Sequence, residues 1–369
     1  MSQVVVLKAE KYDLQLIKDN IGYIFKSLGG LDKIIPQNIK VLLKPNLLSA
    51  RVPDECVDTH PIFVKAVIEV LKTRTSWIQI GDSPGGYVDY QEVLDKSGIG
   101  QVARETGIEV VKFEKSRIVD GLPIAEEVFD ADIVISLPKF KTHCLTVITA
   151  GVKNCFGCVP GLFKTECHKS NPKGIEMAQV VLNVYDIVRP ALTILDAIYS
   201  LEGEGPAAGH PRRTGLILAG FDAVSVDAVI THLIGLKPEQ VPTTKLAHLK
   251  NIGESNLFNI EILGESNLDV VKINDFKLSK TALLEKLPSW LTKFLGAFIK
   301  FYPEVIPQGC IKCGICVKSC PVNAIDLIEN TARINHKKCI LCLCCHEMCP
   351  ENTIKMKRNF LARIIQSIK

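Results

Sequence analysis

The stretch CIKCGICVKSCP, residues 310–321, returns in altered form as CILCLCCHEMCP, residues 339–350. In the first, Cys310, Cys313, Cys316 and Cys320 precede Pro321; in the second, Cys339, Cys342, Cys345 and Cys349 precede Pro350. Both read C-x2-C-x2-C-x3-C-P. Three cysteines so close together let one loop wrap three corners of a cubane iron–sulfur cluster, while the fourth ligand comes from a remote position. The prolines lack a backbone N–H and favour a turn directly after the last thiol.

This is the spacing of bacterial ferredoxins that hold two 4Fe–4S clusters, in which the fourth cysteine of each run ligates the other cluster. The expected ligand sets are Cys310, Cys313, Cys316 and Cys349 for one cluster, and Cys320, Cys339, Cys342 and Cys345 for the second. Matching cysteines lie 29 positions apart, so the module is an internal repeat. Four-cysteine zinc is the competing reading, but its cysteine pairs are usually separated by longer loops. Cys344 cannot keep the spacing and reads as a small buried apolar residue. Such clusters span potentials of roughly −700 to +450 mV, which leaves the direction of electron flow open.

Working outward, residues 308–351 form the cluster module, with a helical turn and then a small hairpin expected over 324–335. Residues 266–307 read as a connector with an amphipathic helix: Trp290, Phe294, Phe298 and Tyr302 recur at helical spacing beside Lys293 and Lys300, closed by Pro303 and Pro307. The tail, 352–369, carries Lys355, Lys357, Arg358, Arg363 and Lys369 around an apolar stripe of Phe360, Leu361, Ile364, Ile365 and Ile368. A basic amphipathic tail packs on its own protein or lies on an anionic membrane.

Residues 1–265 alternate short β-branched runs (4–7, 40–43, 77–80, 109–113, 133–137, 192–195 and 216–219) with helical patterns such as 62–71 and 175–188. That alternation predicts an α/β domain with a largely parallel sheet flanked by helices. The whole chain is then an α/β domain plus a small C-terminal α+β ferredoxin-like two-cluster domain. In such sheets ligands sit beyond the carboxyl ends of the strands.

The chain has 369 residues, 47% of them apolar and 23% charged, as expected of a folded protein with at least one sizeable core. A formal charge of +4 is too small a bias to make nucleic acid the main partner. Fourteen cysteines could suggest a disulfide scaffold, but cysteines in C-x2-C runs within so long a chain read as metal or cluster ligands. Those thiolates must stay reduced, which predicts a cytoplasmic setting. The start, MSQVVVLKAEKYD, reads as a first strand and not a signal peptide. No apolar run reaches the ~18 residues of a membrane span.

Several polar motifs follow strand candidates. They are Lys44-Pro45-Asn46; Gly81-Asp82-Ser83-Pro84-Gly85-Gly86; Pro138-Lys139-Phe140-Lys141-Thr142-His143; the run GVKNCFGCVPG, 151–161; then Lys164 and His168; then Asp196, EGEGP at 202–206, Asp222 and Asp227. Together they resemble the family named domain of unknown function 362, in its branch with a ferredoxin-type tail. The resemblance covers nearly the whole chain, and it implies an iron–sulfur redox protein without naming a substrate. A departure lies at Thr149-Ala150-Gly151, where the family pattern leads one to expect a glycine near Ala150.

Physically, Gly-rich turns after strands let backbone N–H groups approach an anion. Gly81, Asp82, Ser83, Gly85 and Gly86 are candidates for such a cradle, with Asn46, Asn154 and Gly157 beside it; a plain turn is the alternative. Lys44, Lys139, Lys141, Lys153 and Lys164 stand in or beside the same motifs and suggest a basic cleft for an anionic molecule. His143 and His168 could donate protons near neutral pH, and Lys153 completes the catalytic candidates. Asp82, Asp196 and Asp222 could orient lysines or bind a ribose hydroxyl, or simply cap helices. Cys155 and Cys158, with Cys144 and Cys167 near in sequence, could form a third metal centre or be buried thiols. The glycines at 157 and 161 are misspaced for a P-loop, and those at 203, 205 and 209 for a Rossmann turn.

The expected function is an iron–sulfur oxidoreductase. A soluble ferredoxin or other redox protein would exchange electrons with the tail clusters, and these with a small anionic organic acceptor or a flavin-type cofactor in the α/β cleft. A flavin or deazaflavin fits because it joins one-electron delivery to two-electron chemistry. The alternatives are a non-catalytic electron carrier or docking subunit, and a protein whose clusters are structural or sense oxygen.

Overall fold

The computed structural model describes residues 1–161, 163–282 and 301–358. Twelve strands lie in residues 1–264: β1 (Ser2–Lys8), β2 (Val41–Pro45), β3 (Ile78–Asp82), β4 (Glu109–Lys112), β5 (Ser116–Val119), β6 (Leu122–Ala125), β7 (Ile133–Leu137), β8 (Lys139–His143), β9 (Val147–Thr149), β10 (Leu192–Glu202), β11 (His210–Gly220) and β12 (Ile260–Gly264). The main sheet runs β12-β1-β11-β10-β7-β2-β3-β4, with β8 and β9 branching from β10. Its half from β10 to β4 is parallel throughout, while β11 runs antiparallel to both neighbours. All seven strand candidates appear in it.

Both faces are buried, and side-chain alternation sorts residues between them. Val5, Val41, Leu43, Ile135, Ile194 and Ile217 face the helices Leu14–Ser27, Pro61–Leu71 and Ile99–Thr106. Their neighbours Val4, Val6, Leu195 and Leu218 face Ala223–Leu233, and Leu42 and Val134 face Gly174–Val188. Helix starts follow local chemistry. The Asp13 carboxylate accepts from Leu16 N at 3.0 Å, and Pro61 opens its helix, where the missing N–H costs nothing.

The cluster module contains β13 (Phe301–Val305), β14 (Ile325–Ile328), β15 (Thr331–Ile334) and β16 (Ile354–Arg358). β14 and β15 form the expected hairpin, but the helical turns are Ile315–Lys318 and Cys344–Glu347, inside the cysteine runs. Each covers the third cysteine of its run and the first two of the three spacer residues before the fourth. β13 pairs antiparallel with β16, from Phe301 opposite Arg358 to Val305 opposite Ile354. Tyr302, read as part of a helical stripe, is therefore in a strand opposite Lys357, and residues 354–358 are strand, not amphipathic helix. The β-branched pair Val305 and Ile354 at one end favours this outcome. Trp290, Lys293, Phe294, Phe298 and Lys300 lie outside the described residues, as do Phe360, Leu361, Arg363, Ile364, Ile365, Ile368 and Lys369. No helix among the described residues is long and apolar enough to cross a membrane.

The module packs over the carboxyl ends of the central strands. Arg51, after β2, donates to the Cys349 carbonyl at 2.8 Å and to Asn352 Oδ1 at 2.9 Å. Gly86 has φ +56°, and a Cβ there would sit 2.9 Å from Ser319 Oγ and 3.1 Å from Met348 Cγ. The missing side chain is what admits the module so close.

Candidate functional site

The eight module cysteines divide between two cavities. One is lined by Cys310, Cys313, Cys316 and Cys349, the other by Cys320, Cys339, Cys342 and Cys345. Apolar side chains such as Ile325, Ala332 and Ile354 close the walls. Among the described residues one group of three or more potential ligands draws within 4.8 Å, and none of these eight belongs to it. Zinc needs Zn–S bonds of about 2.3 Å, so thiolates around a lone ion sit closer together than these sets do. Four thiols around an apolar-walled cavity suit a cubane, and the residues present fit two such groups.

A third cavity, of about 80 Å³, lies where the module meets the α/β domain. The α/β domain lines it with Asn46, Asp82, Ser83, Gly85, Gly86, Lys141, Lys153, Asn154, Gly157, Lys164 and His168, and the module with Ser319, Cys344, Glu347 and Met348. Sequence reasoning thus brought most of its candidates to one place. Lys44, Gly81, Lys139 and His143 do not line this cavity.

Most of the lysines are already engaged. Lys44 is fully buried; its ammonium donates to Asp82 Oδ1 at 2.9 Å, Asn154 Oδ1 at 3.3 Å and the Pro45 carbonyl at 3.0 Å. Asn154 in turn donates to the Lys44 carbonyl and to Ser136 Oγ. Lys139, also fully buried, pairs with Asp196 at 3.0 Å and donates to Tyr12 Oη at 2.6 Å. Lys141 donates to the Val57 carbonyl at 2.6 Å; burial pushes its ammonium down, and Asp58 nearby is pushed up for the same reason. Lys164 donates to the carbonyls of Ser83 and Pro84, and burial lowers it to about 8.

Lys153 differs. No hydrogen bond or ion pair to its ammonium is found among the described residues, and Phe156 offers only a ring face at 6.0 Å. Burial lowers its pKa. Three more polar atoms beside this cavity lack partners: Asn46 Oδ1, His168 Nδ1 and Glu347 Oε1. Buried polar groups are almost always satisfied, so three orphaned buried atoms beside the half-buried, unpaired Lys153 call for an occupant.

His143 sits behind Glu347. Its Nδ1 accepts from the N–H groups of Leu145 and Thr146 at 3.0 and 3.2 Å, which places the ring proton on Nε2. Nε2 lies 3.2 Å from Glu347 Oε1, out of line for a hydrogen bond. Burial lowers His143 to about 4 and lowers His168 as well, so both rings are neutral at pH 7. Burial alone would raise Glu347, but His143, His168 and Lys153 around it hold the carboxyl below the usual range.

The Gly-rich turn after β3 has a different use from the anion cradle expected of it. Ser83 N donates to Asp82 Oδ1 and Gly85 N to the Leu48 carbonyl, so these amides are already taken. Gly81 allows Phe113 to pack, because a Cβ would lie 2.4 Å from its ring. Gly157 is a contact point: a Cβ there would meet Asp82 Oδ1 at 2.1 Å and Lys44 Nζ at 2.4 Å. Gly157→Ala should therefore lower the unfolding free energy by about 1–3 kcal/mol, the usual cost of overpacking, with denaturant titration as the check. Asp227 accepts from Gly151 N and Val152 N and so caps the segment that carries Lys153; burial raises it to about 7. Cys155, Cys158 and Cys167 lie in the apolar cluster under Gly174–Val188.

Glu347 and Met348 escaped the sequence reading, and Cys344 entered it only as a small buried apolar residue. A signal for Glu347 exists: it is a charged residue in the spacer between Cys345 and Cys349, where cluster burial leaves little room for charge.

A profile described as a domain of unknown function (DUF362) matches residues 41–232, and one described as a 4Fe–4S dicluster domain matches residues 309–359. A thylakoid-associated protein of Synechocystis sp. is 33% identical over 251 residues, covering 66% of this chain and 78% of that protein. The lactate racemase apoprotein from Thermoanaerobacterium thermosaccharolyticum superposes with a TM-score of 0.38 at 12% identity, over 60% of this chain and 55% of that one.

Proposed function

The chain belongs to the family described as a domain of unknown function (DUF362), here joined to a 4Fe–4S dicluster domain, and on that premise we propose that it is an oxidoreductase acting on a small organic anion. The anion would bind between the α/β domain and the cluster module. One observation carries the reading. The unpartnered Lys153, Asn46 Oδ1, His168 Nδ1 and Glu347 Oε1 gather around a single cavity, and Glu347 stands between Cys345 and Cys349.

Cys310, Cys313, Cys316 and Cys349 would hold one cluster and Cys320, Cys339, Cys342 and Cys345 the other. Bound there, such clusters supply or accept single electrons. The chain's own residues do the remaining work. Lys153 binds the anionic group, and Lys164 adds positive charge beside it. Asn46 Oδ1 and Glu347 Oε1 accept from hydroxyl or N–H groups, so the ligand class is an anion that also carries donors. His168, neutral and buried, can give up or take a proton at a ring nitrogen. His143 Nε2 lies 3.2 Å behind Glu347 Oε1 and limits the room for that carboxylate to turn away.

No feature dedicated to a flavin appears among the described residues, and the reading needs none. A soluble ferredoxin or similar redox protein is the proposed electron partner, and the cytoplasm the proposed setting. The thylakoid association in the relative's name admits an encounter at a membrane surface.

Lys153→Ala should weaken anion binding about tenfold to hundredfold, from about 1.5–3 kcal/mol for a charged hydrogen bond, with iron content unchanged. Small molecules released from gently purified anaerobic protein, identified by mass spectrometry, are the readout. The wild type should release a stoichiometric organic anion that the variant lacks. Release of equal amounts by both would remove Lys153 from the site, and release of none would favour the plain electron carrier. The binding should also depend on pH. An ammonium with a lowered pKa is charged only below that value, and Lys164 stands at about 8. Affinity should therefore fall as pH rises from 7 to 9, as measured by calorimetric titration with the identified anion.

A further inference from the structure

Two sequence motifs that reach beyond the anion cavity, the β8 strand motif and the EGEGP loop, meet a third element nearby. Cys144 directly follows β8, Glu204 lies in the loop between β10 and β11, and His346 lies on the module turn Cys344–Glu347. Cys144 Sγ, a Glu204 carboxylate oxygen and a His346 ring nitrogen all lie within 4.8 Å of one another. Cys144 and His346 are buried and Glu204 half-buried.

The hydrogen bonds prepare these groups for a cation. His346 Nδ1 is 2.7 Å from the Ile354 carbonyl, so that nitrogen donates and its lone pair is left on Nε2. Nε2 then faces another acceptor, the Glu204 carbonyl, at 3.2 Å. Glu204 Oε1 accepts from Lys280 N at 2.9 Å, but Oε2 is buried without a partner. No ion pair between His346 and Glu204 forms among the described residues. Two facing acceptors beside an unpartnered carboxylate oxygen and a thiol lack one positive centre.

We propose that Cys144, Glu204 and His346 bind a divalent transition-metal ion of the zinc class, which fastens the α/β domain to the cluster module. Zinc takes thiolate, carboxylate and imidazole ligands together, at bonds of about 2.0–2.3 Å. The three donors need to close inward by under about 1 Å each to reach those lengths. An imidazole held by Nδ1–H on a carbonyl is the usual support of a metal-binding histidine. One thiolate and one carboxylate neutralise a divalent charge, which suits a buried place. The ion would fix His346, and through it the adjacent Glu347 at the anion cavity.

The test uses the full chain, purified anaerobically with its clusters reconstituted, incubated with zinc chloride and desalted. The expected result is about one zinc per chain whose X-ray absorption at the zinc edge shows a single sulfur neighbour among nitrogen and oxygen. Cys144→Ser should lose that sulfur, and Glu204→Gln should weaken retention about 10- to 100-fold. Iron content should stay near that of the wild type. Absence of retained zinc, a shell of three or four sulfurs, or an unchanged sulfur in Cys144→Ser would overturn the proposal. If Cys144→Ser fails to fold, the wild-type shell and Glu204→Gln still decide it.

Discussion

A chain carrying both Cys310→Ala and Cys349→Ala should retain about four irons, whereas one carrying Cys345→Ala and Cys349→Ala should retain almost none. Each variant deletes two thiols, so the contrast depends only on which cavity they line. Cys310 and Cys349 line one cavity, although they are the first ligand of one run and the last of the other. Cys345 lines the other cavity. Losing two ligands from one set should leave the second set complete, while losing one from each compromises both. Iron assay and paramagnetic resonance after dithionite reduction read the outcome. Each run closing on its own cluster would reverse the two results, which makes the experiment a test of interleaving as well as of cluster content.

The second large effect concerns Lys44. Lys44→Met should reduce the unfolding free energy by about 3–5 kcal/mol, because it leaves the buried Asp82 carboxylate without its cation. Asp82 Oδ2 also accepts from Leu47 N at 2.7 Å, so a plain apolar replacement would orphan a backbone donor. Lys44→Met combined with Asp82→Asn removes the charge while keeping an oxygen acceptor. The double variant should recover much of the loss. Urea titration of the three proteins, followed by circular dichroism, measures the difference. A single variant as stable as the wild type would show that the pair contributes little. Such a result would return Lys44 to the list of residues free to bind an anion.

The fate of Lys44 shows what the sequence could and could not reveal. Strand positions were legible because β-branched runs and alternation depend on local chemistry: 41–43 and 133–137 each bury both faces and read as strands from composition alone. The cysteine runs were legible because cluster geometry constrains spacing within a dozen residues. The candidate cavity was legible only as a neighbourhood. Residues after strand ends do converge, but which ammonium stays free depends on carboxylates far away in the chain. Lys44 meets Asp82 and Lys139 meets Asp196, while Lys153 meets neither. The strand β13 was hidden because its partner, β16, lies on the far side of the module in sequence. The Cys144, Glu204 and His346 grouping was hidden for the same reason: its members are dozens to hundreds of positions apart.

The position of Glu347 has a consequence for the protein's life history. This carboxylate belongs to the turn between Cys345 and Cys349, so a cluster held by those thiols would tie the shape of that turn to the presence of its cargo. On that reading, a newly made copy without its cargo would hold only the lysine half of the recognition surface firmly in place. On the proposed function, capture of the anion would thereby be reserved for copies able to exchange electrons with it.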